Sequence, residues 1–247
     1  MIPQKINKRK GVLIIGTDTE IGKTTVAAGL GYMLAKNGKN VGIMKPFSSG
    51  IKEYSKVFRS QDVKILKKAT NNSDSDIVIN PFFYSIPTAP YLAMKILPHY
   101  KPVQVKQILE KYSSIEKKYH ITIVEGIGGL MVPICKNLFF ADVAKRLDLP
   151  TILVMSNKIG TLNHIILTSH VCKYYKLKII GIIINNTIRF TQRKLKMIET
   201  ILPDIVKEVT GYNILAVIPY FKNPSPIKIA QVLENAVPKN YLDKIFK

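Results

Sequence analysis

Short apolar, β-branched runs recur along the chain, separated by longer stretches in which apolar residues repeat with helical spacing. Six runs predict strands: Gly11–Ile15, Asn40–Met44, His120–Val124, Thr151–Met155, Lys178–Ile184 and Ile214–Ile218. Nearly every position in them is apolar, as expected of strands covered on both faces. Helices are predicted over Thr24–Lys36, Asp62–Lys68, Val103–Lys118, Phe140–Leu147, Leu162–Tyr175, Thr191–Leu202 and Ile227–Asn235. Regular strand–helix alternation predicts an α/β fold with a mostly parallel, doubly wound sheet flanked by helices. One stretch, Asn71–Pro102, breaks the alternation with Pro81, Pro87, Pro90 and Pro98 and reads as an irregular excursion beside the active edge.

Composition narrows this picture. A chain of 247 residues, 47% apolar, can bury a core without disulfides. It reads as one domain over 11–247, preceded by a basic tail, 1–10, carrying Lys5, Lys8, Arg9 and Lys10. Cys135 and Cys172 form no C-x-x-C pair, and neither a secretory h-region nor a membrane-length apolar run is present. A cytoplasmic location without membrane association is expected. Net charge is +21, and small clusters such as Lys117-Lys118 and Arg193-Lys194-Leu195-Lys196 look like solvated helix faces. The basic residues are dispersed and lack an aromatic-interleaved stripe, so anionic substrates are expected rather than specific nucleic acid.

Chemistry enters between the first strand and the first helix, at Gly16-Thr17-Asp18-Thr19-Glu20-Ile21-Gly22-Lys23-Thr24-Thr25. Strand, Gly-Lys-Thr loop and helix in that order form a phosphate-binding P-loop. Unpaired N–H groups and the dipole at the helix N-terminus attract phosphate. Gly22 lets the backbone approach, Lys23 reaches the β- and γ-phosphates, and the Thr24 hydroxyl suits Mg²⁺. The strict G-x-x-x-x-G-K-[ST] pattern would place glycine at 17, where Thr17 stands; the first glycine is Gly16, and the loop is longer by one. A P-loop NTPase-like domain that binds a nucleoside triphosphate is predicted.

Ligands of doubly wound sheets bind outside the carboxyl ends of the strands, and further polar residues fall there. Lys45 follows the second strand in Lys-Pro-Phe-Ser-Ser-Gly (45–50), where it could hold an anionic substrate or a transferring phosphoryl group. Glu125 ends the third, before Gly126, Gly128 and Gly129, as a Mg²⁺ ligand near phosphates would. Asp62 suits either a helix start or a ligand. Asn185-Asn186 follow the fifth strand and suit either turn chemistry or the N6/N7 edge of adenine. The four histidines, 99, 120, 164 and 170, show no metal-ligand spacing.

Together these residues resemble dethiobiotin synthetase over residues 11–225. The matching motifs, in order, are Gly-Thr-Asp-Thr-Glu-x-Gly-Lys-Thr (16–24), Lys-Pro-x-x-Ser-Gly (45–50), Val-Glu-Gly-x-Gly-Gly (124–129), Phe-Ala-Asp (140–142) and Gly-x-x-Asn-His (160–164). The resemblance implies an ATP- and Mg²⁺-dependent cyclo-ligase of biotin biosynthesis acting on 7,8-diaminononanoate and CO2. One amine captures CO2 as a carbamate, the carbamate is phosphorylated, and the second amine closes the ureido ring. It further implies nucleotide contacts from Glu20, Ile21, Gly22, Lys23, Thr24, Thr25, Asp62, Glu125, Gly126, Gly128, Asn185, Asn186, Pro219, Tyr220 and Phe221. Thr24, Asp62 and Glu125 would ligate Mg²⁺, and Lys23 and Lys45 would be catalytic. Thr19, Ser49, Gly160, Thr161, Leu162 and Asn163 would contact the diamine, the last four from the partner subunit of a homodimer. The weakest parts of the match are Asn186, which replaces an aspartate of some members, and Phe221–Pro226, which departs from the family's acidic loop.

Two other readings share the P-loop. A cobyrinic-acid-type amide-forming relative would bring a glutaminase domain with a nucleophilic cysteine, for which this sequence shows no room. A partition or septum-positioning ATPase would carry an early signature lysine where Asp18-Thr19-Glu20 stand.

Overall fold

The computed structural model describes residues 10–50, 60–97 and 99–238; the expected tail lies outside them except for Lys10, as do the last residues of the expected domain. The chain runs β1 (Gly11–Gly16), α1 (Lys23–Lys36), β2 (Val41–Met44), β3 (Phe47–Ser49), α2 (Gln61–Thr70), α3 (Asp76–Ile79), β4 (Phe82–Tyr84), α4 (Pro90–Ile96), α5 (Val105–Glu116) and β5 (Ile121–Glu125). It continues through β6 (Pro133–Cys135), β7 (Leu138–Phe139), α6 (Phe140–Leu147), β8 (Thr151–Ser156), α7 (Thr161–Tyr175), β9 (Ile179–Asn185), α8 (Arg193–Thr210), β10 (Ile214–Ile218) and α9 (Pro226–Ala236).

The main sheet has six strands in the order β10-β9-β8-β1-β5-β2, and every pair in it is parallel. Alternation along β1 divides the core between two faces. Val12 and Ile14 pack with residues of α1, α2 and α9. Leu13 and Ile15 pack with residues of α5, α6, α7 and α8. All six runs read as strands in the sequence are therefore strands, covered on both sides. At Gly29 in α1 a Cβ would collide with Ile229 of α9, so glycine there sets how closely these helices approach.

β1 sits at the switch point: the chain leaves it for the β5 and β2 side and returns to β8, β9 and β10 on the other. The crevice beyond its carboxyl end is where such folds bind ligands. Register then fixes which residues meet there. Met44 pairs with Val124, which brings the following residues, Lys45 and Glu125, abreast at the sheet's edge.

The excursion 71–102 is more ordered than expected. It holds α3, β4 and α4, and β4 pairs with β3, which starts two residues after Lys45. A second difference lies in α8, which runs eight residues beyond the expected Leu202 with Pro203 inside it. Leu202, Val206 and Thr210 recur every four residues and are buried, so packing along one face offsets the backbone bond that proline removes. Among the described residues no helix is long and apolar enough to cross a membrane.

Ile14 is fully buried at the centre of the sheet. Ile14→Ala is expected to destabilise the fold by about 2–5 kcal/mol, read as a lower urea midpoint with an unchanged slope; an unshifted midpoint would contradict a central β1.

Candidate active site

After β1 the chain turns through Asp18–Ile21 and starts α1 at Lys23, with Gly22 at the N-cap in the left-handed region at φ 89°. No side chain caps α1 and its first turn carries no acid, so its leading N–H groups face outward for an anion. Two bonds shape the loop from within. The Lys23 ammonium donates to the Asp18 carbonyl at 2.5 Å. The Asn185 amide, at the end of β9, donates to the Ile21 carbonyl at 2.9 Å. A Cβ at residue 22 would overlap that Asn185 amide, so glycine is required both for φ and for contact.

Beside this cradle lies a cluster of buried charge. Lys45 Nζ stands 2.5 Å from Glu125 Oε1 and 2.6 Å from Asp62 Oδ2. The Thr24 hydroxyl donates to the same Glu125 Oε1 at 2.7 Å. The side chains of Lys45, Glu125 and Asp62 are 7%, 1% and 37% exposed. The sequence-expected metal set and the second lysine thus come together from α1, β2, α2 and β5.

The electrostatics follow from burial and pairing. Burial acts to lower the Lys45 pKa, but Glu125 and Asp62 outweigh it and hold the ammonium above its ordinary value. Burial pushes the Glu125 carboxyl up, and Lys45 pulls it back only in part. Burial also acts upward on Asp62, yet Lys45 and the Thr24 hydroxyl bring it, in sum, below the usual carboxylate value. Lys23 has no carboxylate in direct contact, and burial pulls it down to about 8.

These residues fit a hard divalent cation. Carboxylate and hydroxyl oxygens suit Mg²⁺, which keeps sites open for phosphate and water. Glu125 Oε2 is buried and has no hydrogen-bond partner, an acceptor in need of a cation or donor. Among the described residues no cluster of three or more His, Cys, Asp or Glu could hold a metal by itself.

Two positioning residues escape the sequence reading. Asn80, fully buried, donates from Nδ2 to the Lys45 carbonyl at 2.7 Å and accepts from Ser48 Oγ at 2.6 Å. It fastens the turn that carries Lys45, and nothing but the Asn80-Pro81 turn dipeptide marks it in the sequence. Ser60, not Asp62, caps α2, accepting the Val63 N–H at 3.2 Å. A serine just ahead of Val63 and Leu66 is the ordinary signature of such a cap; it frees the Asp62 carboxylate for Lys45.

The remaining expected residues lie on other loops and element ends. Gly126 and Gly128 follow β5 in the loop to β6, and Ser49 ends β3. Asn185 is turned under the P-loop, its amide donating to the Ile21 carbonyl. Asn186 is buried and its Oδ1 lacks a partner. Pro219 and Tyr220 are exposed after β10, and Phe221 lies under the Lys228 ammonium at 5.7 Å. Glu20 is exposed in the left-handed region at φ 53°. Gly160 opens α7 with no side-chain cap. Thr161 bonds its own Ser156 carbonyl at 2.6 Å, whereas Leu162 and Asn163 are exposed. A cavity of about 80 Å³ separates Thr161 and Lys158 from Thr17, Asp18 and Thr19 of the same chain.

An AAA-domain family model matches residues 10–227. The chain is 37% identical over 92% of its length to the ATP-dependent dethiobiotin synthetase BioD of Nitrosopumilus maritimus, covering 96% of that protein. It is 33% identical over 92% of its length to the same-named protein of Bacillus licheniformis, covering 93% of it. Among solved structures, a ParA family ATPase from Chlorobium tepidum superposes with a TM-score of 0.53 at 17% identity, over 97% of this chain and 96% of that one. That likeness concerns the fold alone.

A phosphate bound beside Lys23 would favour its charged form. With its pKa at about 8, raising pH through that value neutralises Lys23 in the free protein, and nucleotide affinity is expected to fall by up to about tenfold per pH unit above it. Calorimetric titration across pH checks this; a flat profile would contradict it. Asn80→Ala is expected to cost about 1–3 kcal/mol in chemical denaturation and to lower turnover, because the Lys45 carbonyl and Ser48 hydroxyl lose their partner.

Proposed function

The chain belongs to the ATP-dependent dethiobiotin synthetase family, and on that premise we propose that it converts 7,8-diaminononanoate, CO2 and ATP to dethiobiotin, ADP and phosphate. One arrangement carries this reading: a second lysine, Lys45, buried against Glu125 and Asp62 beside an open phosphate cradle. A phosphate cradle alone serves any nucleotide hydrolase. A second ammonium at its mouth suits an anionic acceptor for the phosphoryl group.

In this mechanism one substrate amine adds to CO2, loses a proton and becomes a carbamate. A carbamate oxygen attacks the γ-phosphorus, the bond to the β-phosphate oxygen breaks, and ADP departs. The second amine attacks the carbonyl of the resulting carbamic–phosphoric anhydride, loses its proton and expels phosphate as the ureido ring closes. Lys45 holds the carbamate against in-line attack and offsets its charge. Lys23 and the leading N–H groups of α1 orient the triphosphate and stabilise charge on the transferring group. Thr24, Asp62 and Glu125 would hold Mg²⁺, which would supply positive charge against the triphosphate.

The buried Asn186 Oδ1 and the residues after β10 support a base-facing role for Asn186, Pro219, Tyr220 and Phe221. Ser49 and Thr19 flank the diamine. The uncapped start of α7, with Leu162 and Asn163 exposed, supports capture of the tail carboxylate by Gly160–Asn163 from a second copy, so the active form is a homodimer. Free Cys135 and Cys172 accord with a reducing cytoplasm.

Incubation with Mg-ATP, bicarbonate and 7,8-diaminononanoate is expected to yield dethiobiotin by mass spectrometry; nucleotide binding without product would sink this reading. Lys45→Ala is expected to lower turnover by at least about a hundredfold while ATP affinity stays within a few-fold. A light-scattering mass of a monomer during full activity would remove the homodimer.

A further inference from the structure

Lys45, rather than the phosphate cradle, neutralises the carboxylates. Its ammonium lies 2.5 Å from Glu125 Oε1 and 2.6 Å from Asp62 Oδ2, and Thr24 donates to that same Glu125 oxygen at 2.7 Å. Asp62, Glu125 and Thr24 are the residues assigned above to Mg²⁺. Ammonium and divalent cation would compete at Glu125 Oε1 and Asp62 Oδ2, while Glu125 Oε2 stays without a partner, and like charges a few ångströms apart in a buried setting repel strongly. Lys45 and Lys23 also cancel the formal charge of Asp62 and Glu125, leaving little net attraction for a free divalent ion.

The way Lys45 is held favours movement of its tip alone. Its backbone is fixed on both sides of the Cα: the N–H donates to the Ile79 carbonyl at 2.9 Å, and the carbonyl accepts from Asn80 at 2.7 Å. Beyond that anchor stands a flexible four-carbon stem with a compact charge. A bound triphosphate changes the balance, since its negative charge sits beside Lys23 and creates demand for a further cation at the carboxylates.

We propose that Lys45 is an exchangeable cation, which keeps the Asp62–Glu125 pair closed to divalent metal until nucleotide binds and then leaves it for the acceptor side. Metal therefore enters with the triphosphate and not before it, and the same exchange frees the ammonium that meets the carbamate. This rests on the reading of Thr24, Asp62 and Glu125 as the metal set.

The test is Mn²⁺ binding to the full chain without nucleotide, followed by the electron paramagnetic resonance of free Mn²⁺. Lys45→Met is expected to bind Mn²⁺ about tenfold or more tightly than the wild type, and Lys45→Arg to stay as weak as the wild type. With a non-hydrolysable ATP analogue the wild type is expected to gain more affinity than Lys45→Met. Equal or weaker Mn²⁺ binding by Lys45→Met without nucleotide would overturn the proposal. Because removing Lys45 strands a buried carboxylate, a second measurement uses the wild type alone: the NMR signal of isotope-labelled Lys45 Cε. It is expected to shift on adding Mg²⁺ with the analogue and to stay in place with Mg²⁺ alone; a shift with Mg²⁺ alone would equally overturn the exchange. Neither measurement uses the diamine or scores product, so failure of the dethiobiotin assay and failure of the exchange are separate results.

Discussion

The buried Glu125 carboxylate is the constraint around which the site is organised. Taking a carboxylate out of water costs several kcal/mol even after the protein relaxes. Here the Lys45 ammonium at 2.5 Å and the Thr24 hydroxyl at 2.7 Å offset that cost at Oε1, while Oε2 goes without a partner. Strand register puts the pair abreast, Asn80 ties down the turn that bears the lysine, and the Ser60 cap leaves the Asp62 carboxylate free to face it. Asn80 and the Ser60 cap stabilise their own turns, but the buried ion pair does little for stability, since apolar residues of equal volume would hold the same sheet with less desolvation. The arrangement stores charge beside the P-loop.

The two lysines have different surroundings and hence different work. Lys23 donates to the backbone of its own loop, and burial lowers its pKa. Lys45 already has anionic partners and is held charged by them. The solved ATPase from Chlorobium tepidum shares the fold at 17% identity, whereas the relatives at 33–37% identity are synthetases. Fold and chemistry separate here, as they do across this architecture.

Much of this was legible in the sequence, for identifiable reasons. Central parallel strands are apolar throughout, so β1, β5, β8 and β9 announced themselves. Lys45 and Glu125 stood out because a charge at the tip of such a strand has no structural excuse. The P-loop's extra residue pointed further, to one family. Asn80 was hidden because its role depends on meeting Lys45 through space, 35 residues away in the chain. The order within 71–102 was hidden because proline-rich local signals conceal a strand whose partner, β3, is itself three residues long. Pro203 concealed the second half of α8, where tertiary packing overrides a local breaker. Asn185 was read toward either adenine or turn chemistry; its amide donates to the Ile21 carbonyl of the P-loop, a contact no local pattern encodes.

In the proposed reaction this cluster joins a carbamate to the γ-phosphoryl group. Isotope transfer tests it most directly, in a single-turnover reaction with C¹⁸O2 analysed by mass spectrometry. The carbamate oxygen that attacks phosphorus leaves with it, so the released phosphate is predicted to carry one ¹⁸O atom and the ureido carbonyl the other. Unlabelled phosphate alongside labelled dethiobiotin would mean that ATP never phosphorylates the carbamate, and would contradict the account.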